Sequence, residues 1–541
     1  MRKLIMIVAL LVLTSSYAVQ VYLPAVNMRS GNGTLIMADI SVTQGNGSIF
    51  VDVNPLVEPS TQVSVREAAF VACSELNVDC SDYDIYVKFD KSQYAVAGPS
   101  AGAMITVAIM SQLHGDALRT DGVMTGTINL DGSVGPVGGI ESKVYAAKQA
   151  GMRFFIIPEI NTAPNITGIE IYTVGDIVSA YKYFTGVDLS THCALNYSVF
   201  NTVMQKSADY LLSNLTYNET DEKIFNAFKE YNLSHYYSAS SYAVSAMILD
   251  KQNKCMNYTW DEVVKYKSKV VEDYFKLKHD LDSVSGVDSL TDFEILAIAY
   301  DRLYEADEMI KEASKAINAL NKSAACESLG YADVRLMTVY TWYSMVNRGN
   351  LSFDEDELYS SADYALSRAR EVCSYAQFLS FLPEKADQLM DQSEELIQSG
   401  RYIYSMFKSY QATAICRINM ETVGLDNNTL KIKVSNDINV TREKLCKEQR
   451  KGIIPIMAMS YLEYAQSFYN NGDYVNAVVY LTYAKEFAYF TEQIAYDLGI
   501  IVHIRNKPLI PRSFGIDSYV LYLLLFLLGL GIGVLYRAVR M

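Results

Sequence analysis

The feature that most constrains the fold is a change in residue pattern near residue 190. Upstream of it, glycines separate short runs of β-branched residues, which is typical of strands and helices in alternation. Downstream, glycine and proline become scarce, and apolar residues recur at helical spacing as far as residue 507. With 541 residues, the chain is also too long for one ordinary core. We therefore expect an α+β domain at 19–190 and an all-α helical domain at 191–507.

In the first domain, the alternation of apolar and polar residues predicts strands and helices in mixed order. The strands are expected at 34–41, 48–53, 84–89 and 154–157, and the helices at 64–76, 101–113 and 142–150. A Gly-Asn-Gly turn separates the first two strands, and Gly151 is placed to end the last helix.

The helical domain shows its pattern best near its C-terminal end. Small and large apolar residues alternate at helical spacing on both sides of the turn Asn470–Gly472. This predicts two antiparallel helices similar to one tetratricopeptide repeat, and a weaker copy lies near Ala362. Because no fixed period extends across the region, we expect an irregular helical array or bundle that is tetratricopeptide-like in part.

The two ends of the chain indicate export and membrane attachment. Residues 1–18 have a basic start, a short apolar run and small residues, which is typical of a cleaved signal peptide. Residues 516–536 form an apolar run long enough to cross a bilayer, after a linker at 508–515. Arg537 and Arg540 follow, so the tail at 537–541 is expected in the cytoplasm and the large domains outside it.

Other features of the composition agree with an exported glycoprotein. Acceptor Asn-x-Ser/Thr sites occur at twelve asparagines: Asn32, Asn46, Asn165, Asn196, Asn214, Asn218, Asn232, Asn257, Asn321, Asn350, Asn427 and Asn439. Eight cysteines permit disulfides, and Cys73 and Cys80 either pair locally or are buried thiols. No cysteine or histidine spacing suits a metal, and the net charge of −15 argues against a nucleic-acid partner.

The candidate nucleophile is Ser100, in Gly98-Pro99-Ser100-Ala101-Gly102 at the start of an apolar helix. This string also fits the nucleophile elbow of α/β-hydrolases, and such clusters are often ordinary turns. An α/β-hydrolase needs a histidine base downstream. His114 lies too soon after the serine, and the other histidines lie at or beyond the domain boundary.

Lys143 is the alternative base, near the start of a helix with apolar neighbours. A lysine accepts a proton only when neutral, so burial would have to lower its pKa by about three units from about 10.4. A lysine taken alone is more often an exposed residue of an amphipathic helix.

From residue 98 to 161 the sequence resembles the proteolytic domain of the Lon family. Three strings carry the resemblance: GPSAG at 98–102, R-x-D-x-x-M-T-G at 119–126 and P-x-G-G-x-x-x-K at 136–143. The 43-residue separation of Ser100 and Lys143 also fits the family's Ser–Lys dyad. Two positions depart from the family pattern: Thr127 replaces a common acidic residue, and Ala97 replaces a frequent aspartate.

The resemblance implies that Ser100 attacks a peptide carbonyl and that Lys143 takes its proton. It further implies polypeptide substrates and homo-oligomerisation, without giving the number of subunits. The supporting residues are Thr125, which orients the lysine, and Gly98, Ala101 and Gly102, which surround the serine where backbone amides form part of an oxyanion hole.

No P-loop string occurs in the sequence, so we expect neither ATP nor another cofactor. Together these features predict a membrane-tethered serine endopeptidase that acts outside the cytoplasm, without ATP, on unfolded or flexible protein segments. Its natural substrate could also be its own chain or one dedicated partner. The competing hypothesis is a non-enzymatic surface scaffold, in which the Lon-like domain oligomerises and the helical domain binds protein partners.

Overall fold

The computed structural model describes residues 18–497, except 28–29, 53–56, 91–97, 191–192, 216–220, 285, 352–354, 380–382 and 423–424. The predicted linker, membrane span and tail lie outside these residues, as does the predicted signal peptide apart from Ala18. Among the helices of the described residues, none is long and apolar enough to cross a membrane.

The N-terminal region, residues 18–190, mixes strands and helices as predicted. Its strands are β1 (Val19–Val26), β2 (Gly33–Gln44), β3 (Ile49–Val51), β4 (Tyr83–Phe89), β5 (Gly122–Met124), β6 (Thr127–Ile128), β7 (Val134–Gly135), β8 (Phe154–Pro158) and β9 (Glu170–Val174). Its helices are α1 (Pro59–Leu76), α2 (Gly102–His114), α3 (Ile140–Gln149) and α4 (Ile177–Thr185).

These strands form three sheets. The first has the order β1-β2-β4-β3, the second is the parallel set β5-β8-β9, and β6 pairs with β7 in a hairpin. Strand β3 pairs with β4 in parallel, although only the Gly-Asn-Gly turn separates it from β2. The reason is that β1 and β4 already occupy both edges of β2, so the free edge available to β3 is that of β4.

Helix α1 begins five residues before the predicted start. Pro59 lies in its first turn, where a missing N–H costs nothing because that group has no partner inside a helix. The helix packs against α2 and buries Val65, Ala68 and Ala72 in the core of the N-terminal region. This arrangement sets the serine-bearing end of α2 beside the first turns of α1.

The helical region, residues 198–497, confirms the predicted helical array. Its helices are α5 (Ser198–Ser213), α6 (Glu222–Asn232), α7 (Tyr236–Met256), α8 (Trp260–Asp282), α9 (Leu290–Asn318), α10 (Lys322–Tyr343), α11 (Glu355–Leu379), α12 (Glu384–Gln398), α13 (Tyr402–Thr422), α14 (Asn427–Arg450), α15 (Ile456–Asn470) and α16 (Tyr474–Asp497). The predicted pair around Asn470–Gly472 is the α15–α16 hairpin, with Gly472 at a φ of +80°.

All eight cysteines of the chain are paired. The disulfides are Cys73–Cys80, Cys193–Cys446, Cys255–Cys326 and Cys373–Cys416, so the alternative of buried thiols at Cys73 and Cys80 is wrong.

The helical region packs directly on the N-terminal region. Leu130, in the β6–β7 turn, belongs to the main apolar cluster of the helical region. The ring of Phe70 on α1 meets that of Tyr489 edge-on, with 4.5 Å between centroids. The Cys193–Cys446 bond ties the segment that connects the two regions to α14 of the helical region.

Candidate active site

The candidate nucleophile lies on the serine turn, Gly98–Gly102, which leads into α2. Ser100 is half-buried, Ala101 is the residue just before the helix, and Gly102 is its first residue. Gly98 has a φ of +94°, a conformation that costs side-chain-bearing residues roughly 1–2 kcal/mol. A Cβ on Gly102 would overlap the hydroxyl of Ser64 and lie 2.9 Å from a methyl of Ile128. Glycine is therefore needed at both positions.

The three carbonyl groups that precede α2 are each held by a hydrogen bond. The Gly98 carbonyl accepts from the Thr61 hydroxyl at 3.1 Å. The Pro99 carbonyl accepts from the Ser64 hydroxyl at 3.1 Å and from the Gly102 amide at 3.0 Å. The Ser100 carbonyl accepts from the Thr125 hydroxyl at 3.2 Å and from the Gly126 amide at 3.0 Å.

These bonds also set the direction of two amide groups. In a trans peptide the C=O and the following N–H point to opposite sides, so fixing the Pro99 and Ser100 carbonyls fixes the N–H groups of Ser100 and Ala101. Within the described part of the chain, those two amides donate to no other group. They are therefore available to an oxyanion next to the Ser100 hydroxyl, at the positively polarised end of α2.

Three residues of α1 that the sequence analysis missed hold this turn. Besides the Thr61 and Ser64 bonds, the Ser60 hydroxyl accepts from the Gly98 amide at 3.1 Å. All three side chains are buried. The available signal was a set of hydroxyl residues at positions i, i+1 and i+4 near the start of the helix. The partners of these hydroxyls lie more than 30 residues away, which local patterns do not show.

Thr125 connects the predicted base to the serine turn. It follows β5, is fully buried, and accepts a hydrogen bond of 3.1 Å from Nζ of Lys143 while its own hydroxyl donates to the Ser100 carbonyl. No direct hydrogen bond joins Lys143 to Ser100 in the described residues. The structure thus brings the two predicted residues together through Thr125.

Lys143 lies in the first turns of α3 with only 4 % of its surface exposed. Burial disfavours its charged form and lowers the pKa of Lys143 to about 8. Among the residues that the structure describes, the amine donates to the neutral hydroxyl of Thr125 and to no carboxylate. A buried lysine without a counter-charge is uncommon in a purely structural role.

His114 is not arranged to serve as the base. It lies at the opposite end of α2 from Ser100, which at 1.5 Å per residue is about 18 Å away along the helix axis. Its ring contacts Asp116 at 2.8 Å, and Asp116 also accepts from the Tyr181 hydroxyl. This geometry argues against the histidine-dependent hydrolase alternative for His114.

Comparison with known proteins decides the family of this region. Residues 29–172 match the family model of the Lon protease (S16) C-terminal proteolytic domain. This segment is a Lon-type proteolytic domain. The resemblance inferred from the three motifs is therefore confirmed, and the domain belongs to a class of serine peptidases that uses a Ser–Lys dyad.

Individual relatives match the same part of the chain. The Lon protease of Paraburkholderia phytofirmans is 35% identical over 144 residues, 26% of this chain and 18% of the relative. Lon protease 2 of Bacillus subtilis is 33% identical over 159 residues, 26% of this chain and 29% of the relative. Lon protease 1 of Herpetosiphon aurantiacus is 44% identical over 81 residues, 15% and 10% of the two chains. The chain thus spans less than a third of these curated relatives.

Proposed function

We propose that this protein is a serine endopeptidase in which Ser100 is the nucleophile and Lys143 is the general base. The observation that carries the proposal is the buried, weakly basic Lys143, held by the same threonine hydroxyl that anchors the Ser100 carbonyl. The Lon-type domain supports this assignment, since its class hydrolyses peptide bonds.

The chemistry follows from the geometry of the serine turn. Oγ of Ser100 attacks the carbonyl carbon of the substrate while neutral Lys143 accepts the hydroxyl proton. The amides of Ser100 and Ala101 stabilise the negative charge that develops on the substrate oxygen. The lysine then gives the proton to the leaving amine. In the second half of the reaction, Lys143 takes a proton from water as the water attacks the acyl-enzyme, and returns it to Oγ of Ser100 as the carboxylic acid leaves.

The test uses the full chain, purified in detergent and supplied with a disordered protein substrate in the absence of ATP. We expect cleavage and labelling of Ser100 by a fluorophosphonate probe, and loss of cleavage in Ser100→Ala and Lys143→Met. Lys148→Met is the matched control, because Lys148 is exposed on the same helix. Inactivity of the folded wild type together with absent labelling would defeat the proposal and leave the scaffold hypothesis.

We further propose that the enzyme acts outside the cytoplasm. Support comes from the pairing of all eight cysteines, since disulfides persist in oxidising compartments. The eleven acceptor asparagines in the described residues are all exposed, as glycosylation requires. The signal-peptide and membrane-span patterns at 1–18 and 516–536 add the membrane tether.

Without an ATP pool, an external enzyme acts on segments that are already unfolded or flexible. Homo-oligomerisation is part of the same proposal. Treatment of intact cells with an external protease should degrade or release residues 19–507, and a glycosidase should increase the chain's electrophoretic mobility. Full protection of the large domains in intact cells, lost on permeabilisation, would reverse the proposed topology.

A further inference from the structure

Helix α1 contacts both the serine turn and the helical region, the first through its N-terminal turns and the second through the turns that follow. Ser60, Thr61 and Ser64 contact the turn. Glu67, Phe70 and Ser74, spaced by three and four residues farther along the helix, contact the helical region. One helix therefore touches both the candidate catalytic residues and the domain of unassigned role.

In the N-terminal turns, Ser64 contacts a peptide group that carries one of the two candidate oxyanion amides. Its hydroxyl and the Gly102 amide both donate to the Pro99 carbonyl, which shares a peptide plane with the amide of Ser100. A rotation of this plane would turn the amide away from the substrate oxygen. Ser64 is 3 % exposed, so water cannot readily replace its hydroxyl.

In the turns that follow, the contacts are buried and charged. Arg417 on α13 bonds to Glu67 and also to Glu486 on α16, which in turn pairs with Arg368 at 2.9 Å. Farther along α1, Lys444 on α14 bonds to Ser74 and to Glu492 at 2.8 Å. A buried ion pair tolerates little displacement, because separation leaves charges without partners in a medium of low polarity.

The helical region thus fixes α1 in both position and rotation. Phe70 packs against Tyr489 between the two charged contacts, and Lys447 pairs with Glu75 at 2.5 Å at the end of the helix. A rigid helix held along its length transmits its position to its N-terminal turns, where Ser64 lies.

We propose that Ser64 is a positioning residue for the Ser100 amide, and that the helical region, by holding α1 through Arg417, keeps the serine turn in its active geometry. This inference rests on the proposed function. It gives the helical region a role in catalysis itself, beyond any role in holding substrate.

The first test compares Ser64→Ala with Ser111→Ala in the full chain. Ser111 is an equally buried serine whose hydroxyl donates within α2, to the Ala108 carbonyl at 2.8 Å. We expect Ser64→Ala to lower kcat about tenfold, a fraction of the loss from removing an oxyanion donor, with KM changed less than about twofold. The pH midpoint of kcat should not move, since Lys143 is untouched. Equal kcat in the two variants would overturn the role of Ser64.

The second test addresses the helical region. Arg417→Met should lower kcat at least about fivefold with KM little changed, and Glu67→Gln, which keeps an acceptor for Arg417, should give a smaller loss. Arg370→Met is the control, because Arg370 forms an exposed pair with Glu394 within the helical region. If Arg417→Met does not fold, the test uses Glu67→Gln alone. The rate of Ser100 labelling by the fluorophosphonate probe is then compared between this variant and the wild type.

The outcomes separate this inference from the proposed function. An inactive, unlabelled wild type defeats both. An active wild type with unchanged kcat in Glu67→Gln and Arg417→Met shows that the helical region does not support the serine turn, while the Ser100–Lys143 assignment stands.

Discussion

At the scale of single residues, the burial of Lys143 determines the pH range in which the enzyme is active. With a pKa of about 8, about one tenth of the folded protein carries the neutral amine at pH 7. Since only that form accepts the serine proton, kcat/KM should rise with pH about tenfold per unit up to a midpoint near 8. A pH series with a fluorogenic peptide measures this. A midpoint near 6.5 would indicate a histidine base.

The same burial of Lys143 lowers the free energy of unfolding. Its folded pKa lies below the unfolded value of 10.5, so between about pH 8 and 10.5 the unfolded state binds more protons and stability rises with pH. Below pH 8 the full cost of the shift applies, which is about 3 kcal/mol.

Lys143→Met removes this cost while keeping the volume of the side chain. We expect the variant to be inactive and yet more stable at pH 7, by up to about 3 kcal/mol, with the gain vanishing above pH 10.5. Denaturant unfolding at pH 7 and pH 10.5 tests this, with Lys148→Met as the exposed control. A loss of stability at both pH values would contradict the lowered pKa.

The Ser–Lys pair could be predicted from the sequence because each residue is embedded in a distinctive string. The role of Ser64 could not, because its bond is to a backbone carbonyl that any sequence supplies. For Thr125 the resemblance indicated a contact with the lysine, and the structure adds the bond to the Ser100 carbonyl.

At the scale of elements, the close approach of α1 and α2 depends on Gly102. In Gly102→Ala the new methyl group would overlap the Ser64 hydroxyl and press on Ile128. We expect a loss of about 1–3 kcal/mol in the free energy of unfolding, which is typical of overpacking, and a drop in kcat because the serine turn must shift. Gly115→Ala, at the other end of α2, is a control for a glycine replacement that does not press α1 against α2, because its added Cβ meets no atom within 4 Å. Equal activity of the two variants would show that the helices separate without moving Ser100.

The strands and helices could be predicted from the periodicity of apolar residues, and the errors in that prediction have a physical cause. The predicted strand at 48–53 exists as β3, but its partner is β4, since pairing depends on which strand edges remain free. The start of α1 was placed late because hydroxyl residues in its first turn lack the apolar pattern of a helix. Their hydrogen bonds to the serine turn compensate for that composition.

At the scale of the whole molecule, the docking of the two regions was not predictable. The charged residues that join them, such as Glu67 and Arg417, are 350 positions apart and look like ordinary surface residues in the sequence. The Cys193–Cys446 disulfide was equally unpredictable, because eight cysteines allow 105 different sets of pairings. Fold class could be read locally, whereas the relation between the regions depends on long-range contacts.

The Cys193–Cys446 bond should contribute more stability than any other disulfide. It closes 253 residues, whereas Cys73–Cys80 closes 7, and chain entropy then gives roughly 5 kcal/mol for the first and roughly 2 for the second. Paired Cys→Ser replacements, one for each bond, can be compared by thermal unfolding of the full chain. We expect the variant lacking Cys193–Cys446 to have the lower Tm.

Peptidase activity in the Cys193→Ser/Cys446→Ser variant tests whether this bond supports the contact between the helical region and α1. Lys444, which bonds to Ser74 on α1, lies two residues from Cys446 on α14, so loss of the bond loosens that contact first. Activity should therefore fall on heating before the secondary structure melts, when both are followed over the same temperature range. The control is Cys255→Ser/Cys326→Ser within the helical region, in which activity and the circular dichroism signal should be lost together. If they are also lost together in Cys193→Ser/Cys446→Ser, that bond stabilises the fold without supporting the serine turn.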